Sequence, residues 1–511
     1  ALETYTCDID ECVTNYANCN AVTTDGCEAN IYTDANNCGG CGKVCDADKM
    51  HVVTPLCNNG NCDYDKCRVA WEDRNYSRAD GCETYNYFPK TYGRVNISEE
   101  ASAIIPIQGG EEGFFFVGNS GNSILAIRTD VNGNIIWAKS IGDNINSYYS
   151  SNAVLDVDVN GTISFIGLGS VKIATNSHKD LLILKLSDKG EILWKFTYYT
   201  SSFIGATEEA TSIVKVRDGY IILGKLYQSN DSDILVLKLN NSRDVVWSKT
   251  YTYDNANNPG TIVSENAFSI YNTPDGNYVI GGSTSLNSSD FLLILINGSG
   301  DVIKAYNFGS SRPDYGKVII PTDNGYITGG FTNTASDADD IAVIFYSKDF
   351  STYWANTYGD TRANILINMT PSGNGYIISG QTSSANKSYE GMLMHITRDG
   401  NVIWQKSYGG KNWDMFVNAI QLSDTGFISF GRSISFTNDY DLWVVKTDKI
   451  GNIPGNCPSD LSTSLNLLKK TFPISLNNYP IKTTTLSTDI PAIPVLNVNN
   501  ESININMQCS T

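Results

Sequence analysis

Cysteine is the most concentrated source of chemistry in the chain. Eleven of its thirteen cysteines, Cys7, Cys12, Cys19, Cys27, Cys38, Cys41, Cys45, Cys57, Cys62, Cys67 and Cys82, precede residue 83; only Cys457 and Cys509 follow. Thiols at that density either pair as disulfides in an oxidising compartment or hold zinc. Cys38-x-x-Cys41, with Cys45 close behind, has zinc-like spacing. The surrounding cysteines outnumber the four ligands of one tetrahedral site, however, and His51 has no second histidine near it. Disulfides are the expected use, their pairing left open.

Other reactive constellations are sparse. The three histidines, His51, His178 and His395, are isolated from one another. No His-Glu-x-x-His zinc motif, Gly-x-Ser-x-Gly nucleophile elbow, phosphate-binding loop or Cys-x-x-Cys-His haem site is present. The expectation is therefore no catalytic residue and no organic cofactor. Two carboxylates meeting at one face, as a glycan-acting hydrolase or lyase requires, stay open, because acidic residues are too common to single out a pair. Asp156-x-Asp158-x-Asn160-Gly161 matches the first half of a Ca²⁺ loop but lacks its bidentate glutamate, and Asn-Gly is equally good turn chemistry. Asp8, Asp10 and Glu11 offer a second such choice between Ca²⁺ ligands and solvated loop carboxylates. Asn-x-Ser/Thr sequons at Asn75, Asn96, Asn160, Asn230, Asn240, Asn287, Asn297, Asn368, Asn386 and Asn500 permit glycosylation, at about the frequency that so Asn-, Ser- and Thr-rich a chain produces by chance.

The elements that position these residues are strands. The 511-residue chain is rich in Gly, Asn, Ser, Thr and Tyr and only 18% charged, which is the profile of a turn-rich all-β protein. A net charge of −18 sets it against nucleic acid and anionic membrane surfaces as partners. The longest apolar run, residues 291–296, is strand-length, so no membrane insertion is expected. Ala1 in place of Met suggests a leader already removed, Cys7 is not placed as a lipid-anchored terminal cysteine, and no hydrophobic tail ends the sequence. An extracellular or cell-surface location is the expectation.

Residues 1–85 carry an internal repeat. Cys7, Cys12, Cys19 and Cys27 recur 55 positions later as Cys62, Cys67, Arg74 and Cys82, and both copies end in Asp-Gly-Cys-Glu. The cysteine replaced by Arg74 leaves an odd count, so one thiol is free, re-paired or available to another chain. The string from Asp25-Gly26-Cys27-Glu28 through Asn37-Cys38-Gly39-Gly40-Cys41-Gly42 to Cys45 resembles Cys-rich modules of secreted bacterial proteins, notably myxobacterial ones. That resemblance implies an extracellular spacer or interaction module.

Residues 86–455 repeat seven times. A Gly-aromatic-apolar-x-x-Gly phrase opens at Gly113, Gly219, Gly325, Gly375 and Gly426, with altered versions at Gly161 and Gly276, and the closing glycines lie 49 to 57 positions apart. Each phrase precedes an alternating strand that often opens with Asp, as at residues 180–186, 233–239 and 441–446. A turn and a Trp-x-Lys-Ser/Thr-Tyr-Gly strand follow, clearest at Trp404 to Gly409. With the apolar segment ahead of each phrase, every unit has four short strands, which is the arithmetic of a seven-bladed β-propeller. The glycines are expected at tight turns and where strands approach closely between blades. The seventh unit lacks its last strand, and the missing phrase stands at the front as Lys90-Thr91-Tyr92-Gly93. A ring closed by an N-terminal strand explains that displacement; a linear stack does not. The repeats resemble the Gly-Gly-Tyr / Trp-x-Lys-Thr-Tyr-Gly propeller repeats of secreted bacterial and archaeal proteins, a likeness that speaks to fold.

Residues 456–511 form an almost uncharged Ser/Thr/Asn-rich tail ending in an alternating stretch at 502–507. Tails after similar propellers are bracketed by two cysteines, and the resemblance implies a Cys457–Cys509 disulfide. The tail either folds back on its own propeller or adds strands to a neighbouring copy. The leading expectation is a secreted structural subunit that self-assembles into a homopolymer or surface lattice. An adhesin or glycan-binding propeller and a polysaccharide-acting enzyme are the alternatives.

Overall fold

The structure is a computed structural model. It describes residues 11–507 except 69–70, 74–75, 83, 86, 108–111, 144, 159, 176–177, 201–204, 229–230, 255–261, 334–337, 352, 384–387, 424, 454–460, 472–473, 479, 486–487, 490–496 and 501–503. The chain divides into two compact units, residues 1–87 and 88–511. Strands dominate both, and the described residues contain one three-residue 3₁₀ turn, Leu286–Ser288, and no α-helix.

The second unit is a seven-bladed β-propeller. Blade 1 is built from Glu99–Ile107, Gly113–Ser120, Ser123–Thr129 and Ile135–Gly142; blade 2 from Ser147–Val157, Ile163–Lys172, Lys179–Ser187 and Ile192–Thr200. Blade 3 comprises Thr207–Val216, Gly219–Gln228, Asp231–Asn240 and Val245–Tyr253; blade 4 Glu265–Asn272, Tyr278–Thr284, Asp290–Ile296 and Val302–Gly309. Blade 5 uses Asp314–Thr322, Gly325–Asn333, Asp339–Ser347 and Tyr353–Gly359; blade 6 Asn364–Ser372, Gly375–Ser383, Tyr389–Thr397 and Val402–Tyr408. Blade 7 takes Asp414–Gln421, Phe427–Ser433 and Asp441–Thr447 from the end of the repeat and Phe88–Gly93 from its beginning. Leu442 pairs with Tyr92 and Val444 with Lys90, so the ring closes as the displaced motif requires.

The first strand of every blade carries a β-bulge at the same place. It falls between Ala101 and Ala103, Ser150 and Asn152, Ala210 and Ser212, Ala267 and Ser269, Gly316 and Val318, Leu366 and Asn368, and Phe416 and Asn418 in blades 1 to 7. A bulge bends its strand and pushes a carbonyl toward the neighbouring strand. That explains the closing glycines. A Cβ at Gly118, Gly224, Gly330, Gly380 or Gly431 would collide with the carbonyl just ahead of the bulge, that of Glu100, Glu209, Tyr315, Ile365 or Met415. In blades 2 and 4 the equivalent positions are Gly169 and Gly282, not the Gly167 and Gly281 that end the altered phrases. The close approach lies within each blade, between its first and second strands, rather than only between blades.

The motif Trp-x-Lys-x-Tyr-Gly fastens neighbouring blades. The hydroxyls of Tyr92, Tyr198, Tyr251, Tyr358 and Tyr408 donate to the turn carbonyls of Gly133, Arg243, Gly300, Gly400 and Gly451 in the next blade, at 2.6 to 3.0 Å. Trp137, Trp247 and Trp404 donate through Nε1 to Asp188, Gly298 and Lys449 carbonyls one blade on, at 2.8 to 3.1 Å. Apolar residues of adjacent blades complete each interface; Phe115 of blade 1 stacks on Phe165 of blade 2 at 4.1 Å.

Candidate functional site

Three features outside the propeller's own repeat could carry function: the cysteine module, the tail and the clefts between blades. In the module, ten cysteines form Cys12–Cys27, Cys19–Cys41, Cys38–Cys57, Cys45–Cys62 and Cys67–Cys82. The two copies of the repeat are visible in the bonds, since Cys12–Cys27 and Cys67–Cys82 close loops of the same 15-residue separation. The Asp-Gly-Cys-Glu ending is explained by its turn: Gly26 and Gly81 adopt φ of 101° and 90°, a region that side chains disfavour. Glu28 accepts from the amides of Cys19 and Asn20 at 2.8 and 2.9 Å, tying that turn to the first cysteines.

The Sγ atoms of Cys38, Cys45 and Cys62 lie within 4.8 Å of one another. All three are committed to disulfides and offer no thiolate to a metal. The module's apolar core is small, with Met50, Val52 and Tyr64 buried among the cystines. Each cross-link of this loop length contributes on the order of 3 kcal/mol by restricting the unfolded chain, which is what a unit of this size needs. Cys7, Cys457 and Cys509 lie outside the described residues, and with them the Cys457–Cys509 pairing; so do Asp8, Asp10 and Arg74.

The tail adds a fifth strand to every blade. Ser462–Ser464 pairs with the outer strand of blade 6, Leu468–Thr471 with blade 5, Ser475–Asn478 with blade 4 and Ile481–Thr485 with blade 3. Thr488–Asp489 follows on blade 2, Asn497–Asn500 on blade 1 and Asn504–Met507 on blade 7, where it meets the N-terminal strand. The tail thus travels backward around the ring as a belt. All seven pairings are antiparallel and made through the main chain. Among its described side chains Leu461 and Leu467 are 3% and 4% exposed and Ile474 and Ile481 pack on the blade cores, whereas Leu468 to Thr471 are exposed throughout.

The Ca²⁺-like residues of blade 2 do not converge on an open site. Asp156 is 5% exposed and paired with Lys185 at 2.7 Å and with Lys215, whose two ammonium groups neutralise it. Burial depresses the Lys185 pKa. Asp158 turns the other way and accepts from the amides of Asn160 and Thr162, each at 2.8 Å, as a turn-capping carboxylate whose pKa those bonds lower.

The histidines occupy separate settings. His51 stacks on Trp71 at 3.4 Å, and burial lowers its pKa. His395 sits edge-on between Trp404 and Phe427 beside Ser372, and burial lowers its pKa as well. His178 stands beside Asp180 and favours its charged form.

Among the sequons, Asn96 and Asn160 are exposed in turns. Asn240 and Asn297 are partly buried, and their side chains hold the turns through Asp244 and Asp301. Asn368 is partly buried at the bulge of blade 6, Asn287 lies in the 3₁₀ turn and Asn500 in the belt. Asn75, Asn230 and Asn386 lie outside the described residues.

Between blades 5 and 6 a cleft of about 560 Å³ is lined by Phe345, Trp354 and Tyr376 together with Asn324, Arg398 and Asp399. Flat apolar rings beside a few polar groups are suited to small polar ligands with apolar faces. Among the described residues no helix is long and apolar enough to cross a membrane. No protein-family model and no curated protein matches the chain.

Proposed function

We propose that this is a secreted structural protein: a rigid propeller that self-assembles into an extracellular filament or cell-surface layer through its terminal segments. The five disulfides are compatible with an oxidising, extracellular setting. The belt carries the proposal. Each blade edge accepts a strand of two to five residues through main-chain bonds, and such pairing is tolerant of which copy supplies the strand. A tail donated to a neighbour would make the same bonds as a tail wrapped on its own ring, which is the low-cost route to assembly by exchange. Electron microscopy of the concentrated protein tests this. Ordered filaments or sheets that vanish when residues 461–511 are removed are the expected result; dispersed monomers at every concentration would remove the idea.

A glycan-binding reading draws on the aromatic cleft between blades 5 and 6, since sugars stack their apolar faces on such rings. It predicts glycan-array signals that Trp354→Ala abolishes. An array without hits removes it.

A further inference from the structure

A second repeat, not readable as a motif, runs through the blade junctions. The residue two positions ahead of each first-strand bulge is Glu99, Tyr148, Glu208, Glu265, Asp314, Asn364 or Asp414, and all seven are 2% exposed or less. In the same cross-strand row the third strand supplies Asp180, Asp233, Asp290, Asp340, Glu390 and Asp441 in blades 2 to 7. The third-strand acid of one blade shares the junction with the first-strand acid of the next, and Asp441 raises the pKa of Glu99, Asp180 that of Glu208, Asp314 that of Asp290 and Glu390 that of Asp414 by like-charge repulsion. Five junctions therefore hold two acids, with Asp233 and Glu265 as the fifth pair by position.

The junction of blades 4 and 5 is the clearest. Oδ1 of Asp290 and Oδ2 of Asp314 each lie 2.5 Å from the point a Gly309 Cβ would occupy, so they are no more than twice that apart. Gly309, the last residue of its strand, is what allows the two carboxylates to converge. Asp290 accepts from Asn307 Nδ2 at 2.6 Å and Asp314 from the Ser310 amide at 2.5 Å. Asp314 Oδ1 is buried with no hydrogen-bond partner within 3.5 Å, and the Thr332 side chain opposite it in the row favours the charged carboxylate. At the junction of blades 2 and 3, Asp180 Oδ1 and Glu208 Oε2 are buried and unpartnered in the same way, with the Thr200 amide on the other oxygen of Glu208 at 2.9 Å.

Two carboxylates cannot remain buried and charged side by side without a counter-charge. Lysines and arginine fill this role elsewhere, at Asp156 and, through Arg94 at 3.6 Å, at Glu99. Among the described residues no lysine or arginine forms an ion pair with Asp290 or Asp314, whereas at Asp180 the neighbouring His178 favours the charged carboxylate. The geometry points to Ca²⁺ as the missing partner: we propose that the Asp290/Asp314 junction is a divalent-cation site that rivets blades 4 and 5. The donors are all oxygen and come from separate strands, which suits the adaptable shell of Ca²⁺ better than the strict octahedron of Mg²⁺.

The test uses the full chain stripped with EGTA and then given CaCl₂. Thermal unfolding should shift upward, because an ion at 100 times its Kd raises the folded-to-unfolded ratio about 100-fold per site. Asp290→Asn with Asp314→Asn should lose part of that shift, yet in EGTA be at least as stable as the parent, since the repulsion is gone. A crystal structure in CaCl₂ should place an ion between Asp290 and Asp314. An empty junction there, or a calcium shift undiminished in the double variant, overturns the proposal. Should the double variant not fold, the crystal structure of the parent protein decides alone.

Discussion

The tyrosine of the Trp-x-Lys-x-Tyr-Gly strand is a blade-to-blade fastener, and Tyr358→Phe measures its strength. Tyr358 is fully buried, and its hydroxyl donates to the Gly400 carbonyl of the next blade at 2.6 Å. Phenylalanine keeps the ring in its packing against the blade 5 and 6 core and removes only the donor. The Gly400 carbonyl, itself buried, is then left unpaired, which costs about 1–3 kcal/mol. Tyr251 makes the same bond to Gly300 at 2.7 Å two blades away, with no shared partner. Distant, independent sites add to within about 0.5 kcal/mol, so the double variant should lose about 2–6 kcal/mol. Urea unfolding read by tryptophan fluorescence provides the comparison, at unchanged slope. An unchanged midpoint for Tyr358→Phe, or a double variant no weaker than the singles, would refute the fastening role.

The remaining predictions concern charge, edges and cross-links. In EGTA, stability should fall as pH rises from about 4.5 toward 8. Burial lifts Glu208 from 4.5 to about 8 and Glu99 to about 7, with Asp290, Asp340, Asp414 and Asp441 near 6. The sign follows because the unfolded chain releases these protons first, so the loss begins at the unfolded pKa and is complete above the folded one. Glu208 is faced by Asp180 and the Thr200 amide, with His178 beside Asp180; melting temperatures that rise over this window in EGTA contradict the account. Removing residues 461–511 should leave folded four-stranded blades but expose seven edges, so light scattering should show irregular, concentration-dependent association in place of ordered assemblies; a truncated protein that stays monomeric refutes it. Loss of the buried Leu461 and Leu467 contacts removes up to about 1.5–3 kcal/mol each. Reductant should unfold residues 1–87 while the propeller's far-ultraviolet spectrum persists, because every described disulfide lies in the first unit; collapse of the propeller signal would count against that independence.

How much of this was legible in the sequence depends on whether the signal is local. The displaced Lys90–Gly93 motif identified the closing strand because a four-residue phrase was missing in one place and present in another. The blades were legible because burial on both faces selects apolar, β-branched and aromatic residues at fixed intervals. The belt was not. Its strands run two to five residues, their bonds are made by the main chain, and the exposed Leu468 to Thr471 show no alternation. Only the stretch at 502–507 carried a period, and it marks one strand of seven. The junction acids were half visible: third strands open with Asp, as at Asp180 and Asp441, but each partner is in another blade and is recognised only relative to a bulge. At the Asp156 loop the spacing left Ca²⁺ ligation and turn chemistry open, because the groups that decide are remote in sequence: Lys185 and Lys215 pair with Asp156 while Asp158 caps the turn.

The belt and the closing strand solve one mechanical problem together. A ring closed by a terminal strand has one seam that no covalent bond crosses, here between Asp441–Thr447 and Phe88–Gly93. Left alone, Phe88–Gly93 would be an outer edge strand, free to peel. Instead Asn504–Met507 pairs with its far side, so Tyr92 has Leu442 as its neighbour on one strand and Ile505 on the other. The belt reaches that position only after passing blades 6, 5, 4, 3, 2 and 1 in turn. Opening the seam must therefore either break two ladders at once or carry the last belt strand along, loading the pairings on the other six blades.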